Sequence, residues 1–149
     1  SSPYSGVISI FSARVAAGEP LNVFGDGLQV RDFVYVADVV KHLMAAMARS
    51  PQTPEVYNVC TGRAITVREL AATVMRLAGR DVEVLQKPPR AGEIKLSVGN
   101  PARAIAELGE RAAVPLEEGL AKTLAVTPPA TMTTAEFTRF SRRDSAMAP

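Results

Sequence analysis

VFGDGLQVRDFVYVADV, residues 23–39, sets a Gly-Asp-Gly turn between two β-branched runs and puts Arg31 and Asp32 just inside the second. Gly25 and Gly27 supply turn chemistry, so Leu21 to Phe24 reads as a short strand that reverses into a second extended segment, Arg31 to Val36. A plain strand–turn–strand needs no arginine at that point. Its guanidinium is a planar fork matched to phosphate or carboxylate oxygens. Two readings follow from the residues: Arg31 pairs with Asp32 or Asp38 as a surface ion pair of small worth, or it meets an external anion.

Working outward, Val7, Ile8, Ile10, Phe11, Val15 and Ala16 fall close to helical spacing, with Ser5 as N-cap and Gly18 as the stop. Downstream, Val39, Val40, Leu43, Met44 and Met47 give an amphipathic helix over Ala37 to Arg49, ended by Pro51. EVYNVC, residues 55–60, reads as a buried strand closed by Thr61-Gly62. Thr66 and Glu69 form a capping-box pattern that opens a helix running to Gly79. VEVLQ, residues 82–86, is a further strand. KPPRAGEIK, residues 87–95, is irregular because its prolines remove donors and fix the backbone. Asn100-Pro101 marks a helix start, with the helix running to about Leu108, and Leu116 to Leu124 forms the last helix. Strands alternating with helices predict an α/β fold, a small mixed domain of short strands and helices over residues 1–126. Residues 127–149, rich in Thr, Ser, Pro and Ala, read as a disordered tail, with one helical turn at Phe137 and Phe140 as the alternative.

The composition is that of an ordinary globular chain: 149 residues, 47% hydrophobic, 21% charged, net charge +2. So mild a charge, scattered and without aromatic interleaving, argues against a nucleic-acid partner. No apolar run reaches the ~18 residues of a membrane helix. A single cysteine, Cys60, excludes an internal disulfide framework and fits a reducing compartment, so the expected location is cytoplasmic. The first residues, SSPYSGVISIF, have neither a basic leader nor a starting Met, and are expected to lie mid-protein.

Several chemistries are missing. There is no Gly-x-Gly-x-x-Gly turn and no phosphate-binding Gly-x-x-x-x-Gly-Lys-Ser/Thr loop. His42 is the one histidine and reads as structural or solvent-facing. Cys60 lacks a Cys-x-x-Cys partner and reads as a small buried side chain. Tyr4, Tyr35 and Tyr57 have no lysine four residues on. What remains is suited to anions and hydroxyls: Arg31, Arg90 in the proline-stiffened loop, and Glu93, whose carboxylate accepts from two hydroxyls of a ribose. The bland alternative at the second pair is that Arg90 meets Glu93 as an ion pair.

GEPLNVFGDGLQVRDFVYVADVV, VYNVCTG with ITVRELA, PPRAGEIKLSVGNPARAIAELG, and PLEEGLAKTL together resemble, in order and spacing, the extended short-chain dehydrogenases of the NAD-dependent epimerase/dehydratase family. The match is to their C-terminal, substrate-binding half and covers almost all of residues 1–126. In that family a Rossmann half holds NAD and the catalytic Ser/Thr, Tyr and Lys. The resemblance therefore implies a UDP-sugar partner, a separate or covalent N-terminal Rossmann half, and no NAD bound by this chain alone. It implies that backbone around Gly6, Val7 and Ile8 faces the nucleotide. It further implies that Asn22, Val23 and Phe24 bracket the uracil, that Arg31 and Arg90 hold the pyrophosphate, and that Glu93 takes the ribose. No catalytic residue is expected here, and Asp32 and Asp38 are assigned structural roles. The parent reaction implied is reversible oxidation at sugar C4, with nucleotide-sugar dehydratases and decarboxylases as alternatives inside the family and a non-enzymatic nucleotide-binding module outside it. Two positions depart from the family pattern: Cys60, where a Gly or another small residue is usual, and Glu110, where an aromatic is common.

Overall fold

A computed structural model describes residues 6–49 and 54–126. Helix α1 (Val7–Ala17) ends at Gly18, and three residues later β1 (Leu21–Phe24) begins. The Gly-Asp-Gly turn then reverses the chain into β2 (Val30–Arg31), which leads to α2 (Val36–Ala48). After the second described stretch opens come β3 (Ile65–Thr66), α3 (Val67–Ala78), β4 (Val84–Lys87), β5 (Leu96–Ser97), α4 (Ala102–Leu108) and α5 (Leu116–Val126). The expected N-cap Ser5, the helix-ending Pro51 and the expected 127–149 tail lie outside the described residues.

Two small sheets result. β1 pairs in parallel with β4, Leu21 opposite Val84 and Phe24 opposite Lys87. β2 is the centre of the other, antiparallel to β3 and parallel to β5. The mixed α/β class follows the sequence, with strands shorter than expected. Only Val30 and Arg31 enter a ladder, where the β-branched run predicted one through Val36. Beyond Arg31 the chain turns away because Asp32 is bonded to other loops, and Val36 already opens α2.

The core lies where α1, β1 and α3 meet α5. Phe11, Val15, Leu21, Val23, Val67, Leu70, Ala71, Val74 and Leu120 are buried there. Helix α3 owes its start to local chemistry. The Thr66 hydroxyl accepts from the Glu69 N–H at 3.1 Å while the Glu69 carboxylate accepts from the Thr66 N–H at 2.7 Å, satisfying donors the helix itself cannot. The hydrogen bonds from the Thr66 backbone and hydroxyl hold the Glu69 carboxyl below its ordinary pKa. Asn100 caps α4 by accepting from the Ala102 N–H at 2.9 Å, with Pro101 between them.

Helix α2 is inverted relative to its apparent polarity. The spacing of Val40, Leu43, Met44 and Met47 predicts an inward apolar face, yet Leu43 is 56% exposed and Met47 78%. Asp38 and His42 are buried instead, at 0% and 1%. Asp38 Oδ2 accepts from the Val114 N–H at 2.9 Å, and the His42 Nδ1 lies 2.7 Å from the Asp38 carbonyl oxygen. Because a carbonyl only accepts, that nitrogen carries the proton. The helix thus turns its hydrogen-bonding face to the domain and leaves Val40, Leu43, Met44 and Met47 more than half exposed.

Residues 55–60 correct a second expectation. They run extended and half-exposed, with Val56 78% exposed, but pair with no described strand; only Cys60 is buried. Side chains hold them in place of a ladder. Tyr57 sits against the carboxylates of Glu55 and Glu107, and Arg103 reaches Glu107, Glu55 and the Val56 carbonyl. The hydrogen bond to Glu55, burial and the bond to Glu107 push the Tyr57 hydroxyl up to about 12.

Candidate functional site

The Gly-Asp-Gly turn brings the site together. Gly25 and Gly27 both take positive φ, 66° and 73°, and the Asp26 carboxylate accepts from the Leu28 N–H at 2.9 Å, locking the reversal. A side chain at Gly27 would collide with Arg68 and Val23, so glycine is required by space as well as by conformation. The turn delivers Gln29 and Arg31 alongside the end of β1, and the 87–95 loop arrives from β4 on the same side.

A hollow of about 250 Å³ lies between them, lined by Val7, Ile10 and Phe11 of α1, Asn22 and Phe24 of β1, Gln29, Arg31, Val67, Arg90 and Glu93. Six of the nine residues singled out from the sequence share it: Val7, Asn22, Phe24, Arg31, Arg90 and Glu93. An adjoining hollow of about 450 Å³ extends past Phe24, Gln29, Arg90 and Glu93 to Asp26, Gln86, Pro89 and Lys95. Gly6, Ile8 and Val23 are not in the lining. Gly6 precedes α1 and accepts from the Ile10 N–H at 3.2 Å; Ile8 lines a different hollow, with Phe33 and Leu116. Val23 is core.

Strand alternation explains the division along β1. The Leu21 and Gly25 N–H groups donate to Glu83 and Lys87 of the β4 side, which turns the backbone polar groups of Asn22 and Phe24 to the opposite edge. That edge carries no other strand among the described residues. It opens on the hollow, while the Val23 side chain points into the core.

The two arginines are held differently. Arg31 donates to the Val30 and Ile94 carbonyls at 2.8 and 2.7 Å, and its second terminal nitrogen lies 3.7 Å from Glu93 Oε1. Its ion-pair partner is therefore Glu93, not Asp32 or Asp38. The Arg90 guanidinium lies over the Phe24 ring, 3.8 Å from the centroid, and pairs with no described carboxylate. Stacking of this kind leaves its in-plane N–H groups pointing outward, free to meet an anion. Glu93 Oε1 also accepts from Gln29 Nε2 at 3.2 Å, and Glu93 Oε2 has no partner among the described residues.

Asp32, adjacent in sequence, works elsewhere. It accepts from the Thr61 hydroxyl (2.6 Å) and N–H (3.0 Å), the Gly62 N–H (2.8 Å) and the Gly99 N–H (3.4 Å). Burial alone pushes its carboxyl up, but these hydrogen bonds outweigh it and hold the group below its ordinary value. Cys60 is a free thiol packed against Gly99, and burial followed by the Asp32 charge pushes it up, away from the reactive thiolate. Among the described residues no group of His, Cys, Asp and Glu could hold a metal.

Sequence reading missed Gln29, which touches both ends of the hollow. A neutral amide beside a turn carries no charge signal, and only the fold shows what it reaches.

Residues 1–60 match the model of the NAD dependent epimerase/dehydratase family. The UDP-glucose 4-epimerase of Mycolicibacterium smegmatis is 37% identical over 120 residues, 80% of this chain and 38% of that protein. The chain belongs to the NAD-dependent epimerase/dehydratase family. Among solved structures, the UDP-glucose 4-epimerase of Thermotoga maritima with UDP-glucose is 41% identical, with a TM-score of 0.76, over 83% of this chain and 40% of that one. The Thermus thermophilus UDP-glucose 4-epimerase, in complex with NAD, is 36% identical with a TM-score of 0.74, over 83% and 41%. This member of the family thus spans about two fifths of the length of the relatives it matches.

Family membership raises the question of NAD. The Gly25-Asp26-Gly27 sequence joins strand to strand, with no helix N-terminus behind it to receive a pyrophosphate. This turn therefore does not form a dinucleotide cradle. No described helix is long and apolar enough to cross a membrane.

Proposed function

We propose that this chain binds the nucleoside diphosphate end of a UDP-sugar, as the substrate-positioning part of a nucleotide-sugar epimerase of the UDP-glucose 4-epimerase kind. The observation that carries the reading is one hollow holding two arginines, a carboxylate with a free oxygen, and an open strand edge beside an aromatic ring. The Arg90 and Arg31 guanidinium groups hold the diphosphate, Glu93 accepts from the ribose, and the backbone edge of Asn22 and Phe24 reads the base while the Phe24 ring supplies apolar surface. Residues 1–126 are the binding unit. Redox and acid–base groups, with NAD, come from a Rossmann half outside residues 1–126, and the exposed stripe of α2 together with the 55–60 segment offers that half a place to pack. The contribution to catalysis is positional: a sugar held by its nucleotide is kept in reach of hydride transfer. The Thermotoga relative with UDP-glucose and the Thermus relative in complex with NAD support both halves of this assignment.

Titration calorimetry of the chain with UDP tests it. Arg90→Ala removes one charge-assisted contact, worth roughly 1.5–3 kcal/mol, so affinity should fall about ten- to hundredfold with the fold unchanged. The Arg90 side chain makes no hydrogen bond among the described residues, and the 3.3 Å bond from the Glu93 N–H goes to its backbone carbonyl, which alanine keeps, so Arg90 is a cleaner probe than Arg31. No UDP binding by the chain, or unchanged affinity in Arg90→Ala, overturns the reading.

A further inference from the structure

Gln29 is 7% exposed and lines both hollows. Its Nε2 donates to the Phe24 carbonyl at 3.0 Å and to Glu93 Oε1 at 3.2 Å. Both partners accept only, so the amide has one possible orientation, and its Oε1 is left buried with no partner among the described residues. A buried amide oxygen without a donor is a cost that folding alone gives no reason to carry. The same side chain ties the last carbonyl of β1 to a carboxylate 64 residues beyond Gln29. With Arg31 approaching Glu93 Oε1 as well, that oxygen is committed and Oε2 is turned free.

We infer that Gln29 is the positioning residue that makes the site selective for ribonucleotides over 2′-deoxyribonucleotides. It fixes the Glu93 carboxylate so that Oε2 accepts from the vicinal ribose hydroxyls, and its own Oε1 takes a donor when the hollow is filled. This inference rests on the nucleotide reading above and concerns one further property of that site.

The test is calorimetry of the full 149-residue chain with UDP, 2′-deoxyuridine diphosphate and UMP. The unaltered chain is expected to prefer UDP over the deoxy compound by about tenfold or more, the value of one good hydrogen bond to a charged acceptor. Gln29→Met, which keeps length and removes both donors, should bring that ratio below about threefold while the preference for UDP over UMP persists. Glu93→Ala should do the same, and the double variant should lose no further selectivity, since the two act through one carboxylate. If Gln29→Met does not fold, Gln29→Asn keeps the amide but cannot span both acceptors, and is expected to lose the ribose preference in the same way. Full retention of the tenfold ratio in the Gln29 variant, or additive losses in the double variant, overturns the inference. A chain that binds UDP with no preference over the deoxy compound overturns it too and leaves the nucleotide reading intact. A chain that binds neither removes both.

Discussion

Replacing Asp32 by Asn probes how the loops around the site are held. Each carboxylate oxygen accepts twice: Oδ1 from the Thr61 hydroxyl and N–H, Oδ2 from the Gly62 and Gly99 N–H groups. An asparagine amide has one acceptor and one NH2, so in either orientation two donors lose their acceptor and face a donor. An unsatisfied donor of this kind costs about 1–3 kcal/mol, and partial exposure puts these at the low end, giving roughly 2–4 kcal/mol in total. For a domain of this size that is a fall of about 8–16 °C in Tm, read by circular dichroism. Thr61→Val removes only the hydroxyl donor and should cost about 1 kcal/mol. The pH dependence has a definite sign. Because the folded carboxyl sits below its ordinary value, the stabilisation is fully present above about pH 4 and is lost as the pH falls through the lowered value. The Tm gap between the chain and its Asp32→Asn variant should therefore narrow below pH 4. A variant melting within about 2 °C of the parent at neutral pH, or a gap constant down to pH 3, refutes the reasoning.

Two other outcomes follow from the packing. Leu43→Ala should change stability by no more than about 0.5 kcal/mol in urea unfolding, since α2 turns this residue outward; a loss of the 2–5 kcal/mol typical of a buried leucine would show that the helix packs the other way round. Gly27→Ala should destabilise by more than about 1 kcal/mol, because the left-handed backbone and the contact with Val23 and Arg68 both resist a Cβ; a neutral result by thermal melting would mean the turn relaxes freely.

What could be read directly from the sequence was local. The Thr66–Glu69 box announces itself because donor and acceptor stand three residues apart, and Asn100-Pro101 does so for the same reason. The charge set of Arg31, Arg90 and Glu93 was visible as residue types, but their pairing was not. Arg31 finds Glu93 62 positions away, and Arg90 finds an aromatic face where a carboxylate was the simple expectation. Periodicity located the apolar stripe of α2 correctly and said nothing about which layer covers it; the buried bonds of Asp38 and His42 decided that. Residues 55–60 carry the β-rich pattern of a strand, yet a strand also needs a neighbour, and no described strand pairs with them.

The hollow sits at the seam between two sheets that share no paired strand. A ligand filling it would lie between Asn22 and Phe24 of β1 and Arg31 of β2, bracing the two sheets against each other. Melting temperature then becomes a gauge of occupancy: at a hundred times its Kd a ligand adds about 2.7 kcal/mol to the folded state. Candidate nucleotides can be ranked by heat alone, without an assay of turnover.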